Sequence, residues 1–508
     1  MGNESIINKP DYYIPQKYFS DYILNHNNNK IQFNLSIDNC ELNAEYSCEI
    51  YLNSDKENDK IERTEKKICL DNENKKISFS NTKAIVYTFD KIQNIYIKVF
   101  KNENKTSIIN TTIGELLVEK NSTFSIEIFQ DTKEILSIKA IDIESNSKII
   151  LIDFEIYNPG KIDFQKKENK FFFTIKNNIT LYRSELISNN GEFNKITIPS
   201  GLLIPSLQIE FYDIYLNKIS IMDTTLENFL NYIKNDLQII ILMPNKNTIT
   251  IINKSIQSEK KTFLSYLFNN LKITLGIGID FTRSNGIPSE LDSLHNISKG
   301  IPNNYEKIIL SLGKILSQYN PSKNFPVFGF GAFIDLKSND CFNINFQIDP
   351  NINTIEKVIE EYHKCINKIE FSGPTNVFPI LNRFVNKIKN DKIINNYNIF
   401  LLLTDGLIDD MNNAIDILIE SSNYPISVII VGIGDENFEQ MEFFNQDSFP
   451  LISRKNIKRI RCSVKFLNFS KFNNNENLLC QSIMDFLYND IIEYYNIKNI
   501  SPSSLNQL

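Results

Sequence analysis

Three short stretches of the 508-residue chain carry oxygen donors at spacings that suit a metal ion. Asp280-Phe281-Thr282-Arg283-Ser284 sets one carboxylate and two hydroxyls in a D-x-[ST]-x-S pattern, directly after the apolar run Ile273–Ile279. Thr404-Asp405-Gly406 ends a second apolar run, Ile399–Leu403, and Gly373-Pro374-Thr375-Asn376 offers a third hydroxyl on a tight loop between them. One or two carboxylates plus neutral hydroxyl oxygens suit a hard divalent cation of octahedral preference, such as Mg²⁺ or Mn²⁺. So little ligand charge leaves the ion electrophilic, with water in its open positions, and able to take an acidic side chain from a protein partner. Alone, D-x-[ST]-x-S more often caps a helix. The loop threonine and the strand-end TDG, in that chain order, raise it to a metal-site expectation.

The elements that must position these residues are legible as two textures. From about residue 260, strand-like runs at Ile273–Ile279, Phe325–Phe330, Ile399–Leu403 and Ile426–Val431 alternate with helical faces. One such face is Ile308, Ile309, Leu312, Ile315, Leu316 and Tyr319; another is Ile355, Val358, Ile359, Tyr362, Cys365, Ile366 and Ile369. Apolar strands alternating with helices predict a doubly wound α/β domain, in which ligands sit beyond the carboxyl ends of the strands. Earlier, short alternating runs predict all-β sandwiches: Ile31–Ile37, Tyr46–Leu52, Ala84–Phe89, Ile95–Phe100 and Phe124–Phe129, then Ile135–Ile143, Ile149–Tyr157, Phe171–Ile175, Ile179–Tyr182 and Leu207–Tyr212. Their span suits two in tandem. Asn245–Lys261 reads as a polar connector, and Ser482–Tyr495 as a helix packed on the last domain.

Composition narrows the function. With 61 Asp and Glu against 54 Lys and Arg, the formal charge is −7, which argues against nucleic acid as a partner. Seven cysteines are scattered without a CxxC pair, and three histidines leave little for metal or nucleophilic chemistry. The start of the chain lacks an apolar signal region, and no apolar run approaches the roughly 18 residues of a membrane helix. A reduced, cytoplasmic chain is the expectation. Gly2 is a possible myristoylation site, although Ile6 stands where that signal wants Ser or Thr. No Ser/His/Asp order, acid–base carboxylate pair or phosphate loop accompanies the metal motif, so no enzymatic activity is expected.

The motifs resemble the metal-ion-dependent adhesion site of von Willebrand factor A domains, in the variant found in copines. The matching text includes Gly278-Ile279-Asp280-Phe281-Thr282, Ser284-Asn285-Gly286, Ser293-Leu294-His295 and Phe325-Pro326-Val327-Phe328-Gly329-Phe330-Gly331-Ala332. It continues through Gly373-Pro374-Thr375-Asn376, Leu401-Leu402-Leu403-Thr404-Asp405-Gly406 and Pro425 to Gly434. The resemblance implies metal positions at Asp280, Thr282, Ser284, Thr375 and Asp405. Arg283 is unexpected at its x position, where it either repels the ion or turns outward. His295 reads as a packed histidine, and Gly329 and Gly331 as sites of close backbone packing.

The same resemblance implies an N-terminal segment over 1–30, a degenerate C2-like domain over 31–133 and a second over 134–244. A linker over 245–261, an A-like copine domain over 262–500 and a tail over 501–508 complete the chain. C2 domains of this family bind Ca²⁺ through loop aspartates and so dock on anionic phospholipid. Here Asp163 and Asp213 fall on such positions, as residual calcium candidates. Other ligand positions read Asn169 and Tyr215, Lys170 replaces the usual Pro, and Lys98-Val99-Phe100-Lys101 stands where the first sandwich would be acidic. Ca²⁺ takes six to eight oxygens, so calcium dependence is doubtful. Lys161, Lys166, Lys167 and Lys170, with Phe164 and Phe171 among them, form a basic loop suited to an anionic leaflet. The expected function is a copine-like adaptor peripherally attached to the plasma membrane or other membranes, binding phospholipid through C2 domains and an acidic protein through the metal. The alternative is an interaction scaffold without direct lipid or calcium binding.

Overall fold

Alternation builds the N-terminal strands. Along Asn94–Lys101 every second side chain, Ile95, Ile97, Val99 and then Lys101, points inward, as a period of two requires. In the computed structural model this strand lies in one sheet of the first sandwich, ordered Lys60–Arg63, Glu45–Leu52, Asn94–Lys101, Lys105–Thr112. The facing sheet runs Lys76–Ser78, Lys30–Asp38, Ile135–Asp142, Thr123–Glu127. The structure describes residues 29–505, apart from 72–74, 104, 130–132, 143–148, 158–170, 178, 185–195, 200–206, 214, 226–227, 229–238, 243–247, 259–260, 299, 392, 446–451 and 455. Among the described residues no helix is long and apolar enough to cross a membrane.

Two expected boundaries move. Ile135–Asp142 pairs along its whole length with Lys30–Asp38, from Ile31 opposite Asp142 to Asp38 opposite Ile135. It therefore closes the first sandwich rather than opening the second, because Leu136, Ile138 and Ala140 complete the first core. The expected connector Asn245–Lys261 contains a strand, Thr248–Ser258, paired with Ile149–Tyr157. Its Thr-Ile alternation is strand periodicity that the polar composition obscured. That pair belongs to a second sandwich, with Ile196–Pro199 and Ile239–Leu242 in one sheet. The other sheet holds Ile179–Arg183, Phe171–Asn177, Leu207–Asp213 and Lys218–Thr224.

The third domain is a mostly parallel sheet. Its strands are β1 (Lys272–Asp280), β2 (Asn324–Phe330), β3 (Asn396–Thr404), β4 (Ile426–Gly432) and β5 (Val464–Asn468). They lie in the order β2-β1-β3-β4-β5, all parallel. Helices α1 (Asn304–Ser317), α2 (Ile355–Ile366), α3 (Phe378–Asp391), α4 (Met411–Ser421) and α5 (Glu476–Ile497) cover it. Both faces are buried: on β3, Tyr397 meets Tyr495 of α5, while Phe400 meets Phe384 of α3 at 4.7 Å. The architecture is thus two C2-like sandwiches followed by a doubly wound α/β domain of A type.

Asn29–Ile143 and Lys261–Leu508 form one compact unit, and Glu144–Lys260 lies in another. Within the first of these, the N-terminal sandwich is packed on the A-like domain. Phe89 contacts Phe263 at 4.7 Å and Tyr488 of α5 at 5.5 Å. Tyr87 bonds Tyr319, and Lys323 bridges Glu115 at 2.9 Å. The expected strand Ala84–Phe89 is cut to Ile85–Val86 because Tyr87 and Phe89 serve this contact instead.

Candidate metal centre

The site forms where β1 and β3 deliver their carboxyl ends side by side. Ile279 of β1 is in register with Leu403 of β3, so Asp280 and Asp405 emerge as neighbours. After β1 the chain makes a single tight turn over Arg283–Asn285, ended by Gly286 at φ +79°. A Cβ on Gly286 would also lie 3.2 Å from the Ser293 backbone, which favours glycine there. The turn folds the Thr282 and Ser284 hydroxyls to within 3.0 Å of each other.

These oxygens converge on the two carboxylates. Asp280 Oδ1 accepts from the Thr282 amide at 2.8 Å and its hydroxyl at 2.6 Å. Asp280 Oδ2 accepts from the Thr404 hydroxyl at 2.6 Å. Asp405 Oδ1 accepts from Ser284 Oγ at 2.9 Å and from Thr282 Oγ1 at 3.4 Å. Both aspartates are buried, and Ser284 opens the cluster to solvent. Among the described residues no Lys or Arg pairs with either carboxylate. Burial raises Asp280, and burial followed by the Asp280 charge pushes Asp405 up to about 7. Two such groups held without a base lack positive charge. A divalent cation would supply it, and the hydroxyls supply further oxygens. The donors gathered here are carboxylate and hydroxyl oxygens throughout, the kind that a hard divalent cation takes.

Thr375 lies on the loop beside this turn, which is tied down by the Arg283 amide donating to Ser372 O at 2.6 Å. Asp409 clamps Thr375 from both sides: Asp409 Oδ2 accepts the Thr375 amide at 2.7 Å, and the Asp409 amide donates to Thr375 O at 3.0 Å. The Thr375 hydroxyl makes no hydrogen bond to either carboxylate, so the structure brings four of the five expected ligands into mutual contact and sets the fifth on the adjacent loop. Arg283 points outward and is exposed. Gly331, at φ +74°, lies so close to Thr282 that a Cβ would come within 2.3 Å of its methyl carbon; the GFG text is close packing, as expected.

His295 is packed, as expected, and it also holds the site. Its Nε2 donates to the Asp280 carbonyl at 2.8 Å and its Nδ1 accepts from Tyr362 Oη at 2.6 Å. Burial drives its pKa down to about 3, so the ring stays neutral and positions β1 without adding charge. Sequence reasoning also missed Thr404 and Asp409. Thr404 stood inside the TDG motif and could have been found there; Asp409 carried no local signal.

The other expected sites divide. Asp163, Lys161, Lys166, Lys167, Lys170, Phe164 and Gly2 lie outside the described residues. Asp213 ends a strand beside Phe171. Its carboxylate accepts from the Tyr215 and Asn217 amides, each at 2.8 Å, and from the Asn217 side chain at 3.0 Å, bonds that hold it in a local turn. Phe171 is buried against Phe211, so it belongs to the core of the second sandwich and not to a lipid-facing loop. In the first sandwich, Lys101 Nζ reaches Glu134 at 2.9 Å and also pairs with Glu41. Tyr46 donates to the same Glu134 oxygen at 2.5 Å.

Residues 293–503 match the family model described as Copine. That span contains Thr375 and Asp405, and begins just after the Asp280–Ser284 turn. Among solved structures, manganese-loaded TRAP protein of Plasmodium vivax is 16% identical over 40% of this chain and 71% of its own, with a TM-score of 0.27. The proximal thread matrix protein 1 of the mussel byssus, with a zinc-occupied MIDAS motif, is 16% identical over 42% of this chain and 48% of its own, at 0.26. A structure of Extended-Synaptotagmin 2, holding its SMP domain and two C2 domains, is 12% identical over 45% of this chain and 57% of its own, at 0.18. This chain therefore spans about half the length of the latter two structures. What this chain shares with the copine family model thus lies within residues 293–503.

Proposed function

We propose that this chain is a peripheral membrane adaptor whose A-like domain holds Mg²⁺ or Mn²⁺ and through it binds an acidic protein partner. The observation that carries this reading is the pair Asp280 and Asp405, buried together, bonded by hydroxyls from Thr282, Ser284 and Thr404, and unpaired with any base among the described residues. An ion held by so few charges keeps coordination positions for a carboxylate of the partner. The site is a binding site in this reading, since His295 is neutral and bonded on both ring nitrogens and no nucleophile–base pair among the described residues faces the metal. The membrane half of the reading assigns anionic phospholipid to the second sandwich, and a cytoplasmic location at membrane surfaces to the chain. Sedimentation with phosphatidylserine vesicles, from chelator to millimolar Ca²⁺, tests it: the protein pellets with the vesicles. A protein that stays in solution under every condition contradicts the lipid assignment.

One set of contacts favours the reading as a scaffold without direct lipid or calcium binding. Lys101 supplies a fixed cation to Glu41 and Glu134, and Asp213 is engaged by its own turn. In that case the same vesicles fail to pellet the chain while the metal-dependent partner contact persists.

A further inference from the structure

Arg283 stands between the buried Thr282 and the exposed Ser284, whose hydroxyl opens the metal centre to solvent. Its backbone is fixed by the hydrogen bond that its amide donates to Ser372 O, and its side chain is exposed. Among the described residues its guanidinium has neither a hydrogen-bond nor an ion-pair partner. The loops leaving β1, β3 and β4 expose Glu290, Asp292, Asp409, Asp435 and Glu436 at the same carboxyl end of the sheet. None of them takes the guanidinium.

We propose that Arg283 is a second anion anchor: the partner presents two neighbouring carboxylates, one to the metal and one to Arg283, and carries basic residues on either side. This rests on the reading of Asp280 and Asp405 as a metal site for an acidic partner. A guanidinium fork matches a carboxylate through two parallel N–H···O bonds, which a lysine cannot reproduce. The surrounding carboxylates act over about 8 Å at physiological salt, so they repel a uniformly acidic segment and attract basic flanks. Metal and arginine read the centre of the segment, and the acidic loops read its edges.

Fluorescence anisotropy with the full-length protein tests this, using three labelled peptides in excess Mn²⁺ and in EDTA. One has an Asp-Asp centre flanked by lysines, one an Asp-Asn centre with the same flanks, and one an Asp-Asp centre flanked by glutamates. The wild type should bind the first about tenfold more tightly than either of the others, in Mn²⁺ alone. Arg283→Ala should bring the first peptide down to the affinity of the second, with Arg283→Lys in between and Mn²⁺ affinity unchanged. Asp280→Ala should abolish all binding. If Asp280→Ala abolishes binding while Arg283→Ala matches the wild type on every peptide, the second anchor is wrong and the metal-site reading stands. Binding of Mn²⁺ with no peptide bound overturns both the anchor and the acidic partner. Equal binding of lysine- and glutamate-flanked peptides overturns the assignment of the flanks.

Discussion

The hydroxyl of Tyr87, in the N-terminal sandwich, lies 2.5 Å from that of Tyr319, just beyond α1 of the A-like domain. Tyr319 in turn donates to Phe89 O at 3.2 Å, so Tyr87 is the donor in the pair. Both side chains are buried. Around them Phe89, Phe263 and Tyr488 pack edge to face or tilted, and Gly114 sits where a Cβ would be 2.7 Å from Gln318 Cβ. The first sandwich is thus a structural part of the unit that carries the candidate metal centre.

Removing one hydroxyl should therefore be felt by both domains. Tyr319→Phe leaves the Tyr87 hydroxyl buried without its acceptor, at a cost of about 1–3 kcal/mol. Tyr87→Phe combined with Tyr319→Phe should recover part of that loss, giving a non-additive cycle in urea unfolding. The sandwich and the A-like domain should melt in one transition. Two separate transitions, or strict additivity, would show that the contact does not couple them.

Lys101 makes a second prediction. It occupies an inward position of its strand, where alternation would place an apolar residue, and its ammonium answers the buried Glu134. Lys101→Met takes the countercharge from that carboxylate while Tyr46 still donates to it, and breaking a buried pair from one side costs about 3–5 kcal/mol. Lys101→Met with Glu134→Gln should return most of the stability. Denaturant midpoints of the three variants check this, and a single variant as stable as the wild type would contradict it.

The second sandwich should be sensitive to acid through Glu210. Burial raises this carboxyl, but Lys176, then Lys218 and the Tyr212 hydroxyl at 2.6 Å, outweigh it and hold the pKa at about 2. A pKa below the unfolded value of about 4.5 stabilises the fold above pH 4.5, and that contribution fades as pH falls toward 2. Glu210→Gln should flatten the part of the acid-unfolding curve between those values. An identical curve for the variant would remove Glu210 as a cause.

Much of this was legible in the sequence, for a physical reason. Asp280, Thr282 and Ser284 fall within one five-residue stretch after an apolar run, and Asp405 follows another, so strand ends and the family resemblance together marked them as one site. Asp409 and the bonding role of His295 were not legible, because their partners, Thr375 and Tyr362, are distant in the chain. Ala84–Phe89 looked like a strand because an interface and a strand both ask for apolar residues. Thr248–Ser258 looked like a connector because Asn and Lys interrupt its alternation. Lys101 read as a missing acid, whereas its inward position and its pairing with Glu134 needed the facing sheet to be seen.

Calorimetric titration of Mn²⁺ into the metal-stripped full-length protein tests the central claim most directly. The account predicts one ion per chain for the wild type, and none for Asp280→Ala or Asp405→Ala with their circular dichroism unchanged. Wild-type Mn²⁺ affinity in both variants would contradict it, because the paired carboxylates would then have no part in holding a metal.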